Sequence, residues 1–364
     1  MREALRTSRN PLAADLDFVL EHTRPLWEDL RGERLFVTGG TGFFGCWLLE
    51  SFVWANQELA LGASVTVLTR DPMAFSRKAP HLANHPSVRL HTGEVRSFEI
   101  LEGSFSHVIH AATEASEPLN RQQPFEMFDT IIGGTRHTLE FARAAGARRL
   151  LLTSSGAVYG PQAPDLARVS EEYAGAPNVA DPAAAYGEGK RAAEMQCVLS
   201  SRAFGLEAKI ARCFAFVGPY LPLDTHFAIG NFIRDALTGG PIVVHGGGMP
   251  CRSYMYAADL AVWLWTILFA GASMRPYNVG SEVAVDLADL AALVARIAGL
   301  KSGVEVRGEA DRAGAGMRYV PSTRRAQAEL GLREWTSLEA GIGKTVSACR
   351  GVTGQRPARR RVGA

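Results

Sequence analysis

From Arg34 to Gly218 the chain alternates two hydrophobic patterns. Short apolar runs read as strands: "RLFVT" (34–38), "SVTVLT" (64–69), "SVRLHTG" (87–93), "HVIHAAT" (107–113), "RRLLLTSS" (148–155) and "LEAKIARCFAFVG" (206–218). Longer stretches between them, such as "CWLLESFVWANQ" and "IIGGTRHTLEFARAAG", carry apolar residues at helical spacing. Strands apolar on both faces and separated by helices predict an α/β fold with a doubly wound parallel sheet. Upstream, "NPLAADLDFVLEHTRPLWEDL" (10–30) sets Leu16, Val19 and Leu20 on one side of a helix, with Asn10 before Pro11 as its N-cap. This helix is expected on the outside of the main domain. Beyond residue 217 the alternation gives way to proline, glycine and aromatic residues, which predicts a smaller C-terminal lobe. The run "LAVWLWTILFAGA" (260–272) is about 13 residues long, short of the roughly 20 that span a bilayer, and is expected as a buried helix.

Composition narrows the picture. At 364 residues and 47% apolar content the chain can bury a large core. A net charge of +2 argues neither way about nucleic acid, and neither a nucleic-acid nor a membrane partner is expected. The cysteines (Cys46, Cys197, Cys213, Cys251 and Cys349) are scattered without CxxC spacing, so free thiols are expected, with no disulfide and no metal site. The N-terminus is mixed in charge and lacks a secretory apolar run, so a cytoplasmic location is expected.

"VTGGTGFFG" (37–45) spaces Gly39, Gly42 and Gly45 as the dinucleotide signature does, between a strand and a helix. Gly39 suits the tight turn, Gly42 the approach of a pyrophosphate, and Gly45 close packing of helix on sheet. The next strand ends at Thr69, where an acid would hold a ribose diol. Arg70 follows, with Asp71 one step on. This favours NADP over NAD.

"YGEGK" puts Tyr186 and Lys190 at i and i+4, one face of a helix. An ammonium beside a phenol lowers the phenol pKa, and a phenolate near neutral pH can act as a general base. Ser155, in "TSSGAVYG" (153–160), is the hydroxyl expected to hold the same substrate oxygen.

With these motifs the sequence resembles the extended short-chain dehydrogenase/reductase family, in its nucleotide-sugar epimerase/dehydratase branch. The resemblance runs from about Arg34 to about Thr345. It also rests on "HAA" (110–112), Glu194, "RCFAFVGP" (212–219), "RSYMYAADL" (252–260) and "YNVGS" (277–281). It implies a Rossmann-type sheet domain (34–216 with parts of 257–280) that binds NAD(P), following an N-terminal extension (1–33) with one helix. A smaller α/β lobe (mainly 217–350) would bind an NDP-sugar, and a basic tail (351–364) is predicted to be disordered. Tyr186 is then the base, Lys190 holds the nicotinamide ribose, and Ser155 positions the sugar oxygen. The cofactor would be lined by Gly39, Thr41, Gly42, Phe43, Phe44, Gly45, Thr69, Arg70, Glu94, Val95, Ala111, Ala112 and Lys190. The substrate would meet Thr113, Ser154, Ser155, Asn231 and Arg252. A homodimer is expected because many relatives pair through two helices.

The resemblance also frames the reaction. The family's 4,6-dehydratases look like "TDEVYG" at this strand end. Decarboxylating members keep a glutamate before Val-Tyr-Gly, and 3,5-epimerising members usually have a cysteine there. This chain has Gly156 and Ala157, which carry no proton-transferring group. An epimerase acting through transient C4 oxidation is therefore expected. The alternatives are an NADPH-dependent reductase of a 4-keto sugar, a 4,6-dehydratase using Glu114 as acid or base, and a non-catalytic NADP-binding regulatory protein, which would tend to have lost the tyrosine or lysine. Ala215, Ile131 and Glu94 depart from the family pattern, which usually has asparagine at the first two positions and aspartate at the third.

Overall fold

Leu35, Phe36, Val37 and Thr38 are almost fully buried, and the strand they form lies inside a seven-stranded sheet. The computed structural model describes residues 10–113, 117–225, 227–308 and 317–354. Six sheet strands come in sequence: β1 (Arg34–Thr38), β2 (Ser64–Thr69), β3 (Val88–Thr92), β4 (His107–His110), β5 (Arg149–Ser155) and β6 (Glu207–Cys213). Later strands are β7 (Phe216–Val217), β8 (Ile242–His245), β9 (Cys251–Arg252), β10 (Met255–Tyr256), β11 (Pro276–Val279), β12 (Val285–Asp286), β13 (Val304–Arg307) and β14 (Arg318–Tyr319). The sheet order is β11-β6-β5-β4-β1-β2-β3, and every pairing is parallel. The order reverses between β1 and β4. In such sheets a ligand crevice opens there, at the carboxyl ends of the strands.

The helices are α1 (Ala13–Thr23), α2 (Phe43–Glu58), α3 (Pro72–Lys78), α4 (Pro80–Ala83), α5 (Glu117–Gln122), α6 (Pro124–Ala144), α7 (Ala185–Phe204), α8 (Ala228–Thr238), α9 (Ala257–Ala270), α10 (Leu287–Ala298), α11 (Arg324–Leu330) and α12 (Leu338–Gly354). The apolar run at 260–272 lies largely in α9, whose residues 257–269 are all buried. A helix apolar all round needs cover on every side. The N-terminal segment supplies part of that cover, so it is less external than its sequence suggests. Leu16, Val19, Trp27 and Leu30 are fully buried, and the Trp27 ring lies 4.6 Å from that of Trp265. Asp15 accepts a 2.7 Å bond from the Tyr256 hydroxyl and pairs with Lys344. Asn10 accepts from the Leu12 N–H at 2.8 Å, ahead of the first turn of α1.

Past β6 the strands are short and form small separate sheets: β7 with β10, β8 with β13, and β9 between β12 and β14. Helix α12 continues to Gly354, past the expected start of the disordered tail; residues 355–364 lie outside the described residues. All five cysteines are free. No helix among the described residues is long and apolar enough to cross a membrane.

Candidate active site

Gly39 follows β1 with φ +73°, and a Cβ there would lie 2.4 Å from the Ala111 carbonyl carbon. Both its conformation and its surroundings require glycine. A Cβ on Gly45 would lie 2.3 Å from the Gly39 carbonyl oxygen. Gly42 differs: it is exposed, meets only that same oxygen, at 3.3 Å, and starts α2 with no side-chain cap. The first-turn N–H groups of α2 are thus left for an anion. Beneath the loop, His110 bridges Thr38 Oγ1 at 2.8 Å and Thr135 Oγ1 at 3.0 Å. Burial drives its pKa down to about 3, so it serves as a neutral strut. The Ala112 N–H reaches Thr38 Oγ1 at 3.2 Å. A dinucleotide fits this cradle: Gly45 closes the loop on itself, Gly39 packs on the segment after β4, and Gly42 leaves the front open.

At the end of β2, Thr69 is buried and its hydroxyl accepts from the Asp71 N–H at 3.3 Å. The Asp71 carboxylate caps α3 through the Ala74 N–H at 2.9 Å. Exposed Arg70 borders a cavity of about 230 Å³ that is also lined by Glu94, Thr113 and Ile131. Glu94 is held by Arg96, which also pairs with Glu126 at 2.9 Å and Asp129 at 2.8 Å. Val95 packs where a side chain on Gly134 would have to stand.

Tyr186 and Lys190 lie on α7, over the end of β5. Lys190 Nζ donates to Thr113 Oγ1 at 2.7 Å and to the Thr153 carbonyl at 2.8 Å, tying the segment after β4 to β5. It stands 5.9 Å from the Tyr186 ring centroid. Burial lowers the Lys190 pKa to about 8 and raises that of Tyr186 to about 12, with a hydrogen bond from Ser155 opposing the second shift. The sequence alone suggests a phenol pulled down by its lysine; in the folded chain desolvation outweighs that pull. Ser155 Oγ accepts from the Ala157 N–H at 3.1 Å and lies 3.4 Å from the Tyr319 hydroxyl.

Comparison with known proteins gives the family. The model of the NAD-dependent epimerase/dehydratase family matches residues 35–280. The chain belongs to that family. UDP-glucuronic acid decarboxylase 1 of Xenopus tropicalis is 32% identical over 86% of this chain and 71% of its own length. Among solved structures, dTDP-glucose 4,6-dehydratase of Streptomyces venezuelae, determined with NAD bound, is 25% identical with a TM-score of 0.74, covering 88% of this chain and 98% of that one. UDP-glucose 4-epimerase of Thermus thermophilus, also with NAD, is 26% identical with a TM-score of 0.71, covering 87% and 99%. The chain is thus an enzyme of that family, whose members here include nucleotide-sugar epimerases, dehydratases and decarboxylases.

Several motif residues bond to one another. Ser154, expected at the substrate, is instead buried and donates to Glu194 at 2.5 Å. Alternation along β5 sends its side chain away from that of Ser155. Glu194 pairs with Arg212 at 2.7 Å, Arg212 donates to the Tyr159 hydroxyl at 2.9 Å, and that hydroxyl donates to Asn278 at 2.8 Å. Arg252 lies 5.8 Å from the Tyr319 ring and so joins the Ser155 neighbourhood. Asn231 accepts from Arg234 at 2.9 Å and lines a different cavity, of about 400 Å³, with Phe232 and His245. Glu114 lies outside the described residues.

Sequence reasoning missed Tyr319 and Phe214. A Cβ on Gly156 would meet the Phe214 ring at 2.7 Å and the Tyr319 hydroxyl at 2.8 Å, so these two side chains fill the space beside Ser155. The unusually small residue at 156 was the available signal. Gly187 was missed as well: a Cβ there would lie 2.8 Å from the Ala157 carbonyl, so α7 docks closely on the β5 end. A glycine inside a helix costs about 1 kcal/mol against alanine, which marks such a close approach.

Proposed function

We propose that the protein is a nucleotide-sugar epimerase that acts through transient oxidation at C4 of the sugar. The observation that carries this reading is the end of β5: Ser155, Tyr186 and Lys190 meet there, while Gly156 and Ala157 bring no second acid or base. Tyr186 takes the C4 hydroxyl proton and returns it, and Ser155 orients the same oxygen. Lys190 holds the ribose beside the reacting carbon. A nicotinamide bound there would supply a hydride acceptor at C4 and, once the 4-keto sugar has turned over, a hydride donor to its opposite face. Gly39, Thr41, Gly42, Phe43, Phe44, Gly45, Ala111 and Ala112 hold the cofactor, with Thr69, Arg70, Glu94 and Val95 at its adenosine end and NADP favoured over NAD. The substrate is an NDP-sugar held by Thr113, Arg252 and Asn231, the last two from the lobe that follows residue 217. The active form is a homodimer joined through α6 and α7, where Phe125, Phe128, Met195 and Leu199 are exposed.

The decarboxylases among the relatives support a second reading. A 4-keto uronate is a β-keto acid: its C5–C6 bond breaks, the electron pair moves into the C4 carbonyl, and solvent returns a proton to C5. The carbonyl is the electron sink, so this step does not depend on an acid at position 156 or 157.

Incubating the purified chain with a panel of NDP-sugars and following the products by NMR tests both readings. C4 inversion without net use of nicotinamide supports the first, and carbon dioxide from UDP-glucuronate the second. NADPH consumed mole for mole, or solvent deuterium at C5 of a six-carbon product, overturns the epimerase. Tyr186→Phe is expected to lower kcat by roughly 10²–10⁴ without changing the melting temperature. Unchanged turnover would remove Tyr186 from the chemistry. Light scattering on the same preparation reads the dimer.

A further inference from the structure

We propose that Lys78 recognises the 2′-phosphate of the dinucleotide and makes the site selective for NADP. This rests on the cofactor part of the reading above and is independent of the sugar reaction.

Strands β1 and β2 run side by side with Thr38 opposite Leu68, so β2 ends beside the glycine loop. A Cβ on Gly40 would lie 2.6 Å from the Val67 side chain, which shows how closely the two meet. A carboxylate at this strand end would hold the two hydroxyls of an NAD ribose and repel a phosphate. Here the position is Thr69, its hydroxyl turned to the Asp71 N–H. The next acid, Asp71, is committed to the α3 cap.

Capping starts α3 immediately after β2, and the helix returns its last residue to the loop. Lys78, exposed at that end, donates from Nζ to the Thr41 carbonyl at 2.8 Å. A lysine ammonium has three donors. Thr41 takes one, which leaves donors for an anion. The Tyr220 ring lies 6.0 Å from the ammonium. The Tyr220 hydroxyl bonds the buried Glu50 carboxylate at 2.5 Å, which anchors the far end of its ring. The bond to Thr41 thus ties the Lys78 ammonium to the glycine loop. The carboxylates of the neighbouring cavity, Glu94 and Glu126, together with Asp129, are gathered on Arg96. A 2′-phosphate thus meets the Lys78 ammonium, whereas a free 2′-hydroxyl finds no carboxylate, because Thr69 has none and Asp71 is committed to α3.

Calorimetric titration of the full chain with NADP+ and NAD+, and with 2′-AMP and 5′-AMP as fragments, tests this without any sugar present. The unaltered chain is expected to bind NADP+ more tightly than NAD+, and 2′-AMP more tightly than 5′-AMP. Lys78→Gln is expected to weaken NADP+ by about tenfold and NAD+ by less than about twofold, as fits the loss of one charge-assisted hydrogen bond. Lys78→Arg should keep the preference. Tighter NAD+ binding by the unaltered chain overturns the proposal, as does an unchanged NADP+ affinity in Lys78→Gln. Equal weakening of both nucleotides also overturns it, and assigns Lys78 to the pyrophosphate or to loop support. Because the readout is nucleotide binding alone, failure of the epimerase reading leaves this result standing.

Discussion

Two groups of small residues border the same crevice, and they are small for different reasons. Gly39 and Gly45 are confined by backbone: the carbonyl of Ala111 stands over the first, and Gly39 and Gly40 over the second. Gly156 is confined by side chains, the rings of Phe214, which follows β6, and of Tyr319 in β14. Backbone cannot yield without unmaking the loop, whereas a ring can shift or be replaced. The glycine-loop end is thus built on fixed geometry. The β5 end is built on packing that can be exchanged residue for residue. That contrast fits a family whose members share a cofactor class and differ in reaction.

The contrast can be broken at graded cost. Gly45→Ala forces a methyl into the Gly39–Gly40 backbone and is expected to cost roughly 3 kcal/mol and abolish nucleotide binding. Denaturant unfolding and calorimetry check it, and wild-type behaviour would refute the loop geometry. Gly156→Ala meets movable rings, so about 1–2 kcal/mol is expected. Its cost should fall by at least about 0.5 kcal/mol in a Tyr319→Phe background, read by a double-mutant cycle. Perfect additivity would mean that Tyr319 does not confine Gly156.

The smallest effect belongs to Lys190, which touches both ends of the crevice through Thr113 and Thr153. Its native pKa, about 8, lies below the ordinary lysine value. At lower pH both states are protonated and the native state carries the full burial cost. As pH rises through 8 the native lysine deprotonates first, the unfolded state binds more protons, and stability rises. From pH 7 to pH 8 wild type should gain a few tenths of a kcal/mol, roughly, relative to Lys190→Met. A gap that stays flat or moves the other way would show that Lys190 keeps an ordinary pKa.

Much of the sheet was legible. The run at 64–69 is β2 itself, and "SVRLHTG" contains β3 with one residue trimmed at its start and one at its end. These elements are governed by contacts between neighbouring residues, which apolar patterning records. The candidate site was legible in part. Tyr186 and Lys190 share a helix face because i and i+4 always do. The pairing of Ser154 with Glu194 was not legible, because alternation says only that Ser154 and Ser155 point opposite ways. Which of them meets α7 in which manner depends on where α7 docks.

By itself the sequence determined what covalent geometry and short-range sterics control: the glycine spacing of the loop, the parallel α/β architecture, and the absence of a proton-transferring group at positions 156 and 157. Tertiary structure decided what depends on water and on distant chain. Burial, not the neighbouring ammonium, dominates the Tyr186 pKa. Phe214 and Tyr319 fill the space beside Gly156, and α3 folds Lys78 back onto the glycine loop. Desolvation and close approach are properties of an assembled surface. They come into being only when elements far apart in the chain are brought together.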